Sequence, residues 1–405
     1  MPQYDVIIIG GGMVGASLAC ALSGRGLRIA LIEAVELETR REAGYDDRVI
    51  ALAYGTRRIF DGLQLWGALA ADTTPIHRIH VSDRGHFGMV HMDRVEEGLP
   101  ALGYVVPARA IGRVLAEAVA GIEGLDSYCP ATVTAVKRTA AAVEVDMSQE
   151  GLMTTLSGRL VVAADGADSP VREQFGIDCT ERDYGQTAIV TNITPQLAHN
   201  HIAYERFTDS GPLALLPMSD QRCAVVWTVA SSQAGSIMEL DEAGFIAALQ
   251  SRFGYRLGRL ERVGRRQAWP LRLVQAKETV RERLALIGNA VHTLHPVAGQ
   301  GFNLGARDVA VLAEVLVDAI DAGEDPGSLQ VLQRYADWRV RDHRNVAVFT
   351  DGLARLFSLS LPGLGVARSA GMLAFDLVPP AKRLLTRMTM GRSGRTPRLA
   401  RGLPL

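Results

Sequence analysis

The short apolar run Tyr4 to Ile9 stops at Gly10, Gly12 and Gly15, and apolar positions then recur at helical spacing. That change of period predicts a buried strand, a tight turn and a helix from about Met13 to Leu22. A second strand follows over Arg28 to Ile32 and ends at Glu33, while the strand that begins at Val161 ends in Asp165-Gly166 ahead of Ser169 and Arg172. Leu286 to Asp308, LIGNAVHTLHPVAGQGFNLGARD, reads as strand, polar turn, Pro- and Gly-rich loop, then helix from about Gly301, with Val309, Leu312, Leu316 and Ile320 on one apolar stripe. Strand-like runs over Thr187 to Thr194, Leu213 to Met218 and Cys223 to Val229 predict a separate sheet. The expected class is α/β: a Rossmann-like domain over residues 1–75, 101–180 and 271–340, interleaved with a β-sheet domain over 76–100 and 181–270. A helical region with a basic tail, residues 341–405, follows.

Gly10, Gly12 and Gly15 stand in the Gly-x-Gly-x-x-Gly spacing, and Glu33 lies about twenty residues on, where a dinucleotide fold puts an acid on ribose hydroxyls. Gly288, Gly299, Gly301 and Gly305 remove side chains where backbone approaches a ligand, and Pro296 stiffens that approach. A helix starting near Gly301 turns its positive end to the loop, suiting an anion or a ring that becomes anionic. The Asp165 to Arg172 turn reads either as a ligand-facing acid and base in fixed register or as an ordinary turn capped by Ser169. Trp227 and Trp269 are either channel lining or core. Arg84 and His86 are either rim or solvated loop. His292 and His295 have metal-ligand spacing, yet no carboxylate or thiol completes a set in the nearby sequence, so no metal is expected.

These motifs, in this order, resemble the single-component flavin aromatic hydroxylases with the para-hydroxybenzoate hydroxylase fold. DDRVIAL (Asp46 to Leu52), VSDRGHFG (Val81 to Gly88), ERFTDSGPLALLPMSD (Glu205 to Asp220) and HPVAGQGFNLGARD look like the family's ubiquinone-biosynthesis branch. The resemblance implies FAD as cofactor, with Gly10, Gly12, Gly15 and Glu33 on its ADP half, Arg48 near the flavin and Arg109 near the pyrophosphate. It places Asp165, Gly166 and Arg172 at a turn that touches FAD and, transiently, NAD(P)H. Gly288 and Asn289 meet the ribityl chain, and Pro296, Gly299, Gln300, Gly301, Phe302 and Asn303 line the flavin ring. Asn289 stands where the wider family usually has Asp; its amide oxygen still accepts a hydrogen bond, but the charge is gone.

The implied reaction is ring hydroxylation of a polyprenyl phenol, such as 2-octaprenyl-6-methoxyphenol to the 1,4-benzoquinol, with NAD(P)H and O2 consumed through a flavin C4a-hydroperoxide. Sister hydroxylases of other ring carbons, an FAD-dependent isoprenoid reductase and a flavin-stabilised scaffold of a quinone-biosynthesis complex stay open. A flavin halogenase is disfavoured, since no Trp-x-Trp-x-Ile-Pro stretch occurs. No catalytic acid or base stands out.

At 405 residues the chain needs more than one core, and its formal net charge of -1 argues against nucleic acid as a partner. Cys20, Cys129, Cys179 and Cys223 are widely spaced, as expected for reduced cytosolic thiols. No signal peptide is expected, because the first strand begins without a basic stretch or cleavage site. The apolar but interrupted stretch Leu353 to Val378 precedes Lys382, Arg383, Arg387, Arg392, Arg395, Arg398 and Arg401. It reads either as a peripheral surface for the inner face of an anionic membrane or as a helical cap. On the first reading the chain beyond about Pro380 is dispensable for FAD binding.

Overall fold

The computed structural model describes residues 3–35, 48–139, 141–358, 364–392 and 394–405. Asp46 and Asp47, part of the DDRVIAL stretch, lie outside the described residues, as does the break at Pro362 and Gly363. Among the described residues the strands form three sheets. In the first, Tyr4–Ile9 lies between Leu152–Ala163 and Ile29–Ile32, parallel to both, and Leu284–Leu286 and Leu125–Tyr128 extend the parallel core on either side. Val6 and Ile8 join a core that includes the helices Met13–Leu22, Ala108–Ala120 and Gln300–Asp321. Ile7 and Ile9 join a second core on the opposite face. Burial on both faces is why this strand reads as a continuous apolar run.

Helix Gln300–Asp321 begins one residue before the expected start, after Gly299 at φ +59, and it is buried almost all round. Val309, Leu312 and Leu316 face the core as their spacing predicts, yet Ala306, Ala310, Val311 and Ala313 are equally buried. The added cover comes from helix Leu329–Ser358, which packs along it. A single apolar stripe therefore understates how central this helix is.

The second sheet contains Arg78–Asp83, Met89–Asp93, Ile202–Thr208, Gly211–Pro217, Cys223–Ala230 and Cys179–Pro195, all in strand-to-strand contact. Strand Gln267–Ala276 pairs with Cys179–Pro195 well past residue 271, and His292–Thr293 returns to its other edge. A border at residue 271 thus cuts through a strand, and the loop after Leu286 touches both sheets. One face of this sheet packs on helix Glu242–Phe253, where Trp227 meets Phe245 at 5.6 Å between ring centroids. Trp227 is therefore core, whereas Trp269 is 49% exposed.

The C-terminal region folds back onto the molecule through helices Leu364–Asp376 and Pro379–Thr389. Lys382 pairs with Glu96 at 2.9 Å, Arg398 reaches Glu314 and Asp318, and Arg395 stacks 3.5 Å over the Trp338 ring. Met390 accepts a hydrogen bond from the Gly55 backbone at 2.9 Å, and Leu399 and Ala400 are buried in the same core as Phe60. The basic end is thus partly neutralised by the chain's own acids, and its apolar residues complete the core. Deleting the residues beyond Pro380 removes Met390 and Leu399, and large buried side chains are worth roughly 2–5 kcal/mol each. That loss is a large fraction of a typical stability of about 5–15 kcal/mol. The expected outcome is a truncated chain with a much lowered or absent cooperative melting transition by circular dichroism, contrary to the dispensable-tail expectation.

Candidate active site

The strand-to-helix turn assigns its glycines different tasks. A Cβ on Gly10, which sits at φ +100, would lie 2.4 Å from the Ala164 carbonyl oxygen, and one on Gly15 would lie 1.9 Å from the Gly10 carbonyl oxygen. Both positions are closed by backbone. A Cβ on Gly12 would meet nothing within 4 Å, because Gly12 faces a cavity of about 1190 Å³. Gly12 is also the N-cap of helix Met13–Leu22, with no capping side chain, so the first amide N–H groups are left for a ligand. Glu33 stands beside Gly11 and accepts from the Val35 amide at 3.0 Å.

Arg48 lines the same cavity. Arg109, on the first turn of helix Ala108–Ala120, is half-buried and does not line it. Of the Asp165 to Arg172 turn, Gly166 lines the cavity. Ser169 does cap the short helix that follows, accepting from the Arg172 amide at 3.0 Å, while the Asp165 carboxylate accepts from the Val171 amide at 3.2 Å. Burial raises the Asp165 pKa, and these local donors oppose the rise. The buried Arg172 guanidinium does not face the cavity; it donates to the Ala290 and Ala167 carbonyls at 2.9 and 2.8 Å and so clamps this turn to the loop after Leu286.

That loop is held from behind by Asp308. The Oδ2 atom accepts from the Gly288 amide at 3.0 Å and His292 Nε2 at 2.9 Å; Oδ1 accepts from Arg339 Nε at 2.7 Å and His343 Nε2 at 2.6 Å. Burial opposes a charge on Asp308, but His343, Arg339 and His292 outweigh it and hold the carboxyl well below its usual range. Burial likewise keeps His343 at about 4, hence uncharged at neutral pH, so it serves Asp308 as a hydrogen-bond donor while Arg339 brings a full positive charge. The fold therefore does bring a carboxylate and a second histidine to His292, a set that linear spacing hid. Four donors already use the carboxylate's acceptor sites, and a guanidinium stands where a cation would approach, which accounts for the cluster without a metal. His295 points elsewhere, donating to Gln186 of the second sheet at 3.2 Å.

Asn289, Pro296, Gly299, Gln300, Gly301, Phe302 and Asn303 all line the cavity. Gly288 sits at φ +61, and a Cβ on Gly301 would meet nothing within 4 Å. The Asn303 side chain is fully used inside the protein: Oδ1 accepts from Ala53 N and Thr56 Oγ1, and Nδ2 donates to the Ala51 and Gly299 carbonyls. What it offers the cavity is therefore backbone, at the uncapped start of helix Gln300–Asp321. Two helix N-termini, two side-chain-free glycines facing inward and an acid at the end of strand Ile29–Ile32 fit an extended dinucleotide with a ring that gains negative charge.

The wall opposite is the inward face of the second sheet, with Val81, Met92, Ala203, Phe207, Leu216 and Val226 among its residues. Phe349, Met372 and Phe375 of the C-terminal helices extend it. The Arg84 and His86 turn lies beside helix Leu364–Asp376: His86 is 3.2 Å from Asp83, which pairs with cavity-lining Arg368 at 3.3 Å. Neither Trp227 nor Trp269 lines the cavity. Glu205, a charged member of this otherwise largely apolar wall, was not singled out by sequence. Its odd-numbered register with Ala203 and Phe207 is the signal that points it inward.

The site is thus a backbone cradle with the features of a dinucleotide site, facing an apolar cavity. Residues 3–347 match the FAD binding domain family, and the chain belongs to it. It is similar to the ubiquinone hydroxylase UbiL of Rhodospirillum rubrum, 40% identical over 404 residues that cover 99% of this chain and 93% of that protein. It is also 30% identical over 388 residues to the 3-demethoxyubiquinol 3-hydroxylase of Escherichia coli, covering 96% and 98% of the two chains. In fold it resembles the p-nitrophenol 4-monooxygenase PnpA of Pseudomonas putida, with a TM-score of 0.80 at 19% identity over 97% of this chain and 100% of that one. The chain is an FAD-dependent monooxygenase, of the class that uses NAD(P)H and O2.

Two glycine substitutions separate fold from cofactor. Gly12→Val is expected to fold and melt near wild type but to purify colourless, because its side chain enters the cavity. Gly15→Ala is expected to lose about 1–3 kcal/mol in chemical denaturation, since its new Cβ meets backbone. Normal flavin content in Gly12→Val would contradict this assignment.

Proposed function

We propose that the chain hydroxylates the ring of a polyprenyl phenol on the route to ubiquinone, with 2-octaprenyl-6-methoxyphenol to the 1,4-benzoquinol as the first reaction to test. The observation that carries this reading is the two-sided cavity: a glycine-rich backbone wall faces an apolar sheet, and the apolar lining continues onto the C-terminal helices through Phe349, Met372 and Phe375. The relatives named as ubiquinone hydroxylases support the same substrate class.

FAD, reduced by NAD(P)H, supplies the activation of O2. Gly10, Gly12, Gly15 and Glu33 would hold its ADP half, with Arg48 and the Asp165-Gly166 turn beside the pyrophosphate and flavin. Gly288 and Asn289 would hold the ribityl chain, and the backbone from Pro296 to Asn303 would take the flavin ring. The N–H groups at the start of helix Gln300–Asp321 stabilise negative charge on the ring, acting as preorganised donors in a water-poor cavity. The apolar wall seats the phenol and excludes water.

No helix among the described residues is long and apolar enough to cross a membrane. An isoprenoid substrate must nevertheless leave a lipid phase, since each buried CH2 is worth about 0.8 kcal/mol. Val366, Leu377, Val378 and Leu384 are exposed on or beside the two short helices whose other faces line the cavity, with Arg383 and Arg387 close by in sequence. This face is our proposed contact with an anionic membrane surface.

The direct test is turnover of a prenylated phenol under 18O2. One labelled oxygen atom per product is expected, with no product under strict anaerobiosis. Full product yield without oxygen would replace this reading with an isoprenoid reductase.

A further inference from the structure

Strand Ile202–Thr208 alternates cleanly across the second sheet. Tyr204 borders the cavity but turns its ring to the far side, where it packs against Phe253 at 5.4 Å, and Arg206 Nε donates to the Arg252 carbonyl at 3.1 Å. Ala203, Glu205 and Phe207 point inward. Glu205 is flanked by Val81 across the parallel pair and Ala214 across the antiparallel pair, so neither neighbour offers it a side-chain donor. Among the described residues its side chain makes no hydrogen bond or ion pair, and such access as it has opens onto the cavity.

A lone carboxylate in an apolar wall is unfavourable unless a donor completes it. Burial alone pushes its acid up to about 7. The other charged groups lining the cavity are Arg48 and Arg368, the latter paired with Asp83 at 3.3 Å; His80 alternates to the far face. Two cations in the lining disfavour a cationic ligand, so the group that suits Glu205 is a neutral hydroxyl attached to an apolar body.

We propose that Glu205 is the substrate-recognition and proton-accepting residue, receiving the hydrogen bond of the phenolic hydroxyl and orienting the ring against the flavin wall. As the ring gives up electron density, the phenolic O–H bond breaks with its electron pair left on oxygen, and the proton forms a new O–H bond on the Glu205 carboxylate. The proposal rests on the phenol-hydroxylase reading above. A carboxylate raised to about 7 lies between its ordinary value and that of a phenol, which shortens the gap the proton must cross.

The test compares 2-geranylphenol with its methyl ether, which cannot donate, by equilibrium binding to the FAD-loaded protein without NAD(P)H. Wild type should prefer the phenol by about tenfold at pH 8, since hydrogen bonds to charged groups are the stronger ones. The preference should shrink at pH 6, where the carboxyl is largely protonated. Glu205→Leu should abolish the preference at both pH values with FAD content unchanged, and Glu205→Gln should leave whatever preference remains independent of pH. A raised carboxyl pKa destabilises the folded chain as pH rises from its unfolded value through about 7, so Glu205→Gln should also melt above wild type at pH 8 but not at pH 5. An undiminished preference in Glu205→Leu overturns the role of Glu205 alone. If wild type binds neither probe, the phenol reading and this proposal fall together.

Discussion

A carboxylate with no solvent exposure, Asp308, organises the glycine-rich side of the cavity from behind. It takes a backbone donor from the turn at Gly288, a histidine from strand His292–Thr293, and an arginine and a histidine from helix Leu329–Ser358. Helix Gln300–Asp321, which carries Asp308, also presents its N-terminus to the cavity. One buried charge therefore sets the distance between that N-terminus, the loop before it and the C-terminal helix. Burial would expel such a charge if it stood alone; Arg339 and three further donors make it tolerable, and breaking a buried pair by removing one partner typically loses about 3–5 kcal/mol.

The two walls of the cavity are joined through the same loop. His295 binds Gln186 of the second sheet, and burial keeps that histidine neutral, at about 4, so the tie does not switch in the physiological range. Behind the cavity, Arg172 binds the loop to the Asp165 turn through backbone carbonyls. The glycine-rich wall is built largely from backbone held by buried side chains, while the opposite wall is built from side chains selected by strand alternation. That division suits a common cofactor on one side and a particular apolar substrate on the other.

Local periodicity made the first strand, its glycine turn, helix Met13–Leu22 and the start of helix Gln300–Asp321 legible in the sequence, because short-range sterics decide each of them. The glycine spacing likewise located the Gly12 and Gly301 approaches, although only the packing shows that Gly10 and Gly15 are closed by backbone while Gly12 is open. The Asp308 cluster was hidden because His292 meets its partners sixteen and fifty-one residues away through tertiary packing, as the numbering of Asp308 and His343 shows. The pairing of the basic tail was hidden for the same reason: its acids Glu96, Glu314 and Asp318 come from distant segments. Glu205 lay in a quoted motif, but its isolation became visible only once Val81 and Ala214 were seen on either side.

Whether Asp308 holds the loop after Leu286 in register is read from the FAD dissociation constant of Asp308→Asn measured alongside its chemical denaturation. An amide offers one acceptor oxygen and turns an N–H₂ group toward existing donors, leaving Arg339 with Asp342 as its remaining carboxylate partner. FAD affinity weakened by about tenfold or more is expected, together with a stability loss of about 3–5 kcal/mol. A variant with wild-type affinity and wild-type stability would contradict it.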